Sequence, residues 1–284
     1  FLLFNILPGD PARMMLGQNE TAEQVAIVKK KYGFDQPLSK QYVYYLNDLS
    51  PISFHSLSKA DHSYFSDKKY LGLKLFSIGE INVVLKAPYL RESFQKNGKK
   101  VSTVILETLP NTIVLAISSI FIAMVLGMSL GVISAMYKDS LIDKLIQLVS
   151  TFGMSVPSFF SAILFAWFFG FLLHNYTGLN MTGSLYEVDD FGNGTYIQWK
   201  NLILPAVVLG IRPLAVVSQL MRNSLLEVLS TDYIRTAKAK GLSEFAIIRK
   251  HALKNAMNPV VTAISGWFAS MLAGAVFVEY IFGW

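Results

Sequence analysis

The chain has 284 residues, of which 52% are hydrophobic and only 15% charged, with a mean hydropathy of +0.42 and a formal net charge of +6. Soluble domains carry about 25% charged residues, so an ordinary water-soluble globule is excluded, and so is a highly charged disordered chain. With no cysteine there is no disulfide framework and no thiolate metal site.

In chain order, Phe1–Gly9 reads as the tail of a membrane helix too short to cross by itself, and the last residues, EYIFGW, stop just after an apolar run. Truncation at both ends is therefore expected. Residues 10–107 form a long polar region, predicted to be extracytoplasmic. Within it, NETAEQVAIVKKKYG predicts a helix capped by Asn19 or Thr21, with a Thr21/Gln24 capping box and a stop at Gly33. Leu38, Tyr42, Tyr45, Leu46 and Leu49 share one face of a second helix. Ser50 to Lys86 shows no clear period and is expected to be a long irregular loop or insertion.

From residue 108 the pattern changes. No charge occurs from Asn111 to Met136, from Leu145 to Leu173, or from Asn255 to Val278, and Asn201 to Met221 is broken only by Arg212. Roughly 20 apolar residues span a bilayer as a helix, which predicts an all-α integral membrane bundle with spans near 110–136, 145–173, 201–222 and 257–280. Gly127-x-x-x-Gly131 and Ser270-x-x-x-Gly274 offer close helix contacts, and Pro157, Pro205 and Pro213 are expected to kink their spans. Arg222 to Asn258 holds seven Lys or Arg against three acids, whereas His174 to Lys200 holds one Lys against three acids. The positive-inside rule then puts the first segment in the cytoplasm and the second outside; long translocated regions such as 10–107 are exempt from it.

Several motifs are weak. Gly127-Met-Ser-Leu-Gly131 has the GxSxG spelling, but Ser129 sits mid-helix in an uncharged run without the turn or the His and acid partners a nucleophile needs, so packing is the expected role. His55, His62, His174 and His251 form no zinc motif, and His55 and His62 are expected on the surface of the irregular loop. NGKKVS at Asn97–Ser102 lacks Walker A spacing, and DDFGNGT at Asp189–Thr195 is expected to be a Gly-rich turn and not a calcium loop. No cofactor or metal is expected. Arg212 is different, because a charge inside a span costs about 2.5–3.5 kcal/mol on insertion scales and faces a bundle interior or a watery path. It is a candidate for lining a pathway and meeting an anionic group; structural pairing or snorkelling is the alternative.

The most informative stretch is DYIRTAKAKGLSEFAIIRKHALKNAMNP, Asp232 to Pro259. Thr231 or Ser230 can cap a short helix through about Ala239, Gly241 can supply a left-handed turn, and Ser243 can cap a second helix with Glu244 in its first turn and Lys250 and Lys254 towards its end. A rigid basic helix pair projecting from an apolar bundle, spanning about 226–258, suits docking to a cytoplasmic partner. Its residues carry a resemblance. DYIRTAKAKGL at Asp232–Leu242, RKHAL at Arg249–Leu253 and NAMNPVVT at Asn255–Thr262 resemble the EAA loop of ABC-importer permeases, in the form found in the dipeptide, oligopeptide and nickel family. So do LPGDPA at Leu7–Ala12, YGFDQPL at Tyr32–Leu38, LPNT at Leu109–Thr112, MSVPSF at Met154–Phe159, RNSLLEVL at Arg222–Leu229 and GAVFVEYIF at Gly274–Phe282. The chain departs from the broader motif at Arg235-Thr236-Ala237, where the Glu is missing.

The resemblance implies a type I importer permease fold with a large outer insertion after the first span. It implies a non-enzymatic transport subunit in the bacterial inner membrane, importing peptides or related small solutes. The implied partners are a second permease, two ATP-binding cassette subunits that hydrolyse ATP, and an extracytoplasmic solute-binding protein; nucleic acid is not among them. Arg235, Thr236, Ala237, Lys240, Gly241 and Leu242 would make the ATPase contacts, with Ala237 and Gly241 allowing close approach. A lone ion-coupled secondary transporter, which would want acidic or His relay groups in its spans, is the alternative, and an intramembrane hydrolase using Ser129 is a remoter one.

Overall fold

The structure is a computed structural model that describes residues 1, 9–16, 21–59, 61–67, 69–96, 98–189 and 194–284. It falls into two compact units, Phe1–Thr108 and Leu109–Trp284. The expected span tail, the cap at Asn19 and the centre of the DDFGNGT turn lie wholly or mostly outside the described residues.

The first unit opens with helices α1 (Pro11–Leu16), α2 (Ala22–Tyr32) and α3 (Leu38–Leu49). The Thr21/Gln24 capping box forms, and Gly33 ends α2 at φ 74°, a left-handed conformation that favours glycine. The apolar face expected on α3 is largely exposed at Leu38, Tyr42 and Leu46; the buried residue is Asp48. The predicted irregular loop at 50–86 is instead a three-stranded antiparallel sheet, β1 (Ile52–Ser56), β2 (Gly72–Ile78) and β3 (Ile81–Lys86), in the order β1-β3-β2. Ile78 pairs with Ile81 across a two-residue turn, and Gly79 there takes φ 56°. The pattern is hard to read because several inward residues are polar: Ser53, His55 and Lys86 are buried, while Leu73, Phe76 and Ile78 face out.

His55 is therefore in the core and not on the surface. Its Nδ1 lies 2.7 Å from the Ser63 carbonyl, its Nε2 2.9 Å from Ser53 Oγ, and its ring packs edge-on against Phe65 and Tyr70. A carbonyl can only accept, so Nδ1 carries the proton and Nε2 accepts from the Ser53 hydroxyl.

The second unit is mainly helical, with one short hairpin of β4 (Tyr186–Val188) and β5 (Thr195–Ile197). Helix α4 (Val101–Met136) and helix α8 (Lys200–Leu229) are each long and apolar enough to cross a membrane. The predicted span 145–173 is not one straight helix. Helix α5 (Leu141–Ser155) and α6 (Ser158–Phe165), which continues as a π-helical stretch over Ala166–Leu172, meet at 106°. Pro157 lacks the N–H that would continue α5, and Val156 before it is held extended at φ −78°, ψ 129°. The predicted span 257–280 is α12 (Asn258–Gly274) followed, after Ala275, by α13 (Val276–Phe282). Pro205 and Pro213 lie inside α8, which continues through both.

Packing within the unit is set by small residues against α8. A Cβ on Gly127 would stand 2.8 Å from the Leu214 carbonyl, and one on Gly131 2.5 Å from that of Ser218, so both glycines are needed for the contact. Ser129, on the exposed side, donates 2.7 Å back to the Val125 carbonyl of its own helix. The GxSxG spelling is thus a helix-packing pattern. Among the described residues no group of three or more His, Asp or Glu is arranged to hold a metal ion.

Candidate functional site

After α8 the chain turns at Ser230-Thr231 into helix α9 (Asp232–Ala239), then α10 (Glu244–Ile247), a π-helical turn over Ile248–Ala252, and α11 (Leu253–Ala256). The Thr231 hydroxyl does not cap α9 as expected; it donates 2.6 Å to the Val228 carbonyl. Gly241 does take the left-handed turn, at φ 76°, and its amide bonds the Lys238 carbonyl at 2.9 Å. Ser243 caps α10, accepting from the Ala246 amide at 3.4 Å. Across the hairpin the Asn255 amide donates 2.8 Å to the Tyr233 hydroxyl, tying the two limbs together.

The hairpin is anchored from inside. Ile234 and Ala237, three residues apart on one face of α9, enter a core with Val217, Met221 and Leu225 of α8, Ala135 of α4, and Ile247, Ala252 and Ala256. Burying an Ile or Leu side chain is worth about 1.5–3 kcal/mol, so this core holds the hairpin as a rigid projection. Of the predicted contact residues, Arg235, Thr236, Lys240, Gly241 and Leu242 are exposed, and no atom lies within 4 Å of a Cβ built on Gly241. Ala237 differs: it is 7% exposed and faces the bundle, so its small size serves the fit of α9 onto α8 and not an approach from outside. Among the described residues the Arg235 side chain pairs with Asp232 alone, at 3.2 Å, with both side chains largely in solvent. The sequence reading missed Phe245, which is 67% exposed beside Leu242 at 40%, so the basic tip carries an apolar centre. An aromatic just past a left-handed glycine in a polar loop is the signal that would have found it.

A second cluster sits at the foot of the same helices. Asp143, 2% exposed, receives the Arg222 guanidinium side-on, Nε to Oδ1 at 2.8 Å and Nη2 to Oδ2 at 2.6 Å. The Ser134 hydroxyl donates to Oδ1 and the Asp139 amide to Oδ2 at 2.9 Å, while the Asp143 amide donates to the capping Ser140 Oγ. This bidentate clasp joins the α4–α5 turn to α8 two turns before the hairpin begins.

Arg212 is exposed on α8 and donates through Nε and Nη2, both at 3.3 Å, to the Met154 carbonyl. The break at Pro157 removes the amides that would otherwise complete the last turn of α5, so a cation here satisfies an open carbonyl at a helix C-terminus. At the other end of the unit, the Thr112 hydroxyl donates 2.6 Å to Glu279 Oε1 and the Trp284 indole donates 3.1 Å to the Asn111 carbonyl. The LPNT and EYIF segments thereby meet.

Comparison with known proteins identifies the family. The family described as "Binding-protein-dependent transport system inner membrane component" matches residues 127–284, and the description of its N-terminal companion matches residues 1–59. The glutathione transport system permease protein GsiC of Escherichia coli strain K12 is 31% identical over 284 residues, which cover 100% of this chain and 76% of that protein. The dipeptide transport system permease protein DppB of Alkalihalophilus pseudofirmus is 29% identical over 297 residues, covering 100% of this chain and 78% of the relative. Among solved structures, inward-facing MetNI methionine ABC transporter is similar at a TM-score of 0.49 and 17% identity, over 63% of this chain and 75% of that one. The match to the core family over more than half the chain, and to a 31% identical relative over 76% of that relative's length, places this chain in the family of binding-protein-dependent transport system inner membrane components, the membrane permeases of ABC importers.

Proposed function

We propose that the chain forms part of the translocation pathway of a peptide importer and is driven by ATPase subunits seated on the α9–α10 hairpin. The observation that carries this is the hairpin itself. It is a short helix pair locked to the bundle by Ile234 and Ala237 on one side, and presents Arg235, Lys240, Leu242 and Phe245 on the other. An apolar centre with a basic rim is the anatomy of a protein interface. A rigid element that two sites both bias is what coupling requires. The excess of Lys and Arg in Arg222–Asn258 supports a cytoplasmic position for this segment, and with it an outer position for residues 10–107, where a solute-binding protein would deliver substrate. The names of GsiC and DppB favour peptides and peptide-like thiols as the cargo. The chain itself supplies no catalytic group; ATP hydrolysis belongs to the partners, and a second permease completes the pathway.

The test is Gly241→Val in the assembled complex, reconstituted in liposomes. A β-branched residue at φ 76° distorts the turn without meeting any neighbour. ATP hydrolysis is expected to continue while ATP-driven peptide uptake falls at least tenfold; full uptake would sink the assignment. Arg212 is proposed to line the pathway where anionic groups pass. Arg212→Met is then expected to slow uptake of acidic peptides several-fold more than neutral ones, and equal rates for both would remove the pathway role.

A further inference from the structure

The first unit contains a cleft of about 380 Å³ that no transport role accounts for. Its walls come from the end of α2, the second half of α3, and described residues between Lys59 and Tyr70 and between Tyr89 and Lys100, all within that unit. The volume lies in the range of small-molecule sites, roughly 300–1,000 Å³. Aromatic rings dominate the walls: Tyr32, Phe34, Tyr70 and Tyr89 among them, with Tyr32 stacked on Phe34 at 5.9 Å and Tyr70 edge-on to Tyr89 at 5.1 Å.

The charge balance in the cleft is uneven. Five cations line it, Lys31, Lys59, Lys69, Arg91 and Lys100, against three carboxylates. The carboxylates already have partners. Asp48 takes Arg91 at 2.9 Å and the Tyr70 hydroxyl at 2.8 Å, Glu92 takes the Tyr32 hydroxyl at 2.5 Å, and Asp61 takes the amide and hydroxyl of Ser63. Among the described residues none of the four lysines is ion-paired with a carboxylate. Among the described residues Lys69 Nζ has no carboxylate within ion-pair distance. It lies over the faces of Tyr70 and Tyr89, 4.7 Å and 5.4 Å from the ring centres. Among the described residues Lys100 Nζ donates to the Lys69 backbone carbonyl, at 3.2 Å, which sets the Lys100 ammonium against the Lys69 main chain in the cleft wall. Burial already pushes the Lys69 ammonium down from its ordinary value. A half-buried ammonium held by two π faces is incompletely solvated, and an incoming anion would supply what is missing.

We infer that this cleft binds a small organic carboxylate with an aromatic or aliphatic body, the carboxylate between Lys69 and Lys100 and the body against Tyr32, Phe34 and Tyr89. A bare inorganic anion would leave the aromatic walls without a role, and a neutral apolar ligand would leave the two ammonium groups unpaired.

The test is isothermal titration calorimetry of the full chain in its complex, in nanodiscs, with N-acetylphenylalanine, its neutral amide, and inorganic sulfate. The acid is expected to bind at least tenfold more tightly than the amide and the sulfate. Lys69→Met and Lys100→Met should each weaken it at least tenfold, with Lys69→Arg retaining most of the binding and the exposed Lys40→Met retaining all of it. Equal binding of acid and amide, equal binding of sulfate, or no heat from the acid overturns the proposal. So does a folded Lys100→Met variant with unchanged affinity, which keeps the test decisive if Lys69→Met fails to fold.

Discussion

At the scale of single residues, the clasp between Asp143 and Arg222 shows how a charge is tolerated inside the bundle. The side chains are 3% and 17% exposed, and both carboxylate oxygens are engaged by the guanidinium, a hydroxyl and a backbone amide. Removing one partner of such a pair costs about 3–5 kcal/mol, mainly because the survivor stays buried and charged, whereas replacing both is often close to neutral. Arg222→Met alone is therefore expected to lower the thermal midpoint of the detergent-solubilised protein sharply, and Asp143→Asn added to it should restore much of the loss. A double variant no more stable than the single one would mean that the loss does not come from a stranded, buried Asp143 carboxylate. None of this was legible beforehand. Asp143 and Arg222 are separated by 79 positions, and each reads as an ordinary charge flanking an apolar run. Gly241 was legible, because a glycine between two capped helical patterns has one common use.

At the scale of elements, sequence and structure part company where periodicity carries no information. The apolar runs at Asn111–Met136 and Asn201–Met221 become continuous helices, the second in spite of Pro205 and Pro213, because a helix satisfies most of its backbone groups within the segment. The run from Leu145 to Leu173 is also uncharged, yet turns through 106° at Val156-Pro157, where Val156 leaves the helical conformation and is extended. The sheet of the first unit was hidden for another reason. Its strands have five to seven residues, and polar side chains at Ser53, His55 and Lys86 point inward, so the usual alternation is inverted. The α4–α8 contact, by contrast, is written in the Gly127/Gly131 spacing. Gly131→Ala would force its methyl to 2.5 Å from the Ser218 carbonyl, an overpacking worth about 1–3 kcal/mol. Gly266→Ala, in α12, meets nothing within 4 Å and adds helix propensity. Thermal melts in one detergent should show a lower midpoint for the first and an unchanged or higher one for the second. Equal midpoints would mean that α4 and α8 do not pack through these glycines.

At the scale of the whole molecule, the two units draw stability from different chemistry, and pH separates them. In the first unit His55 is fully buried as a neutral ring, and burial lowers its pKa from the ordinary 6.5, with the Ser63 carbonyl working against this. Lys86 and Lys69 also disfavour a second positive charge there, while Asp48 favours it. In the unfolded chain the same imidazole takes up a proton near pH 6.5. Between the folded and unfolded pKa values the unfolded state holds more protons, so stability rises with pH across that window. The contribution is complete above about 6.5 and is lost as pH falls through the window. Asp10 and Asp61 have carboxyls held below their ordinary value of 3.8 by hydrogen bonds to Lys29 and Ser63, and so titrate lower still. Hydrogen exchange of the intact protein between about pH 7 and about pH 5, corrected for the intrinsic rate, is the measurement. Amides of β1 and β3 should lose protection on acidification, while those of α8, whose buried side chains in the Leu204–Leu225 stretch are apolar apart from Ser218, should not. His55→Gln should give a sheet whose protection no longer changes over that range. If the wild-type sheet and α8 lose protection in parallel, the acid sensitivity does not originate at His55.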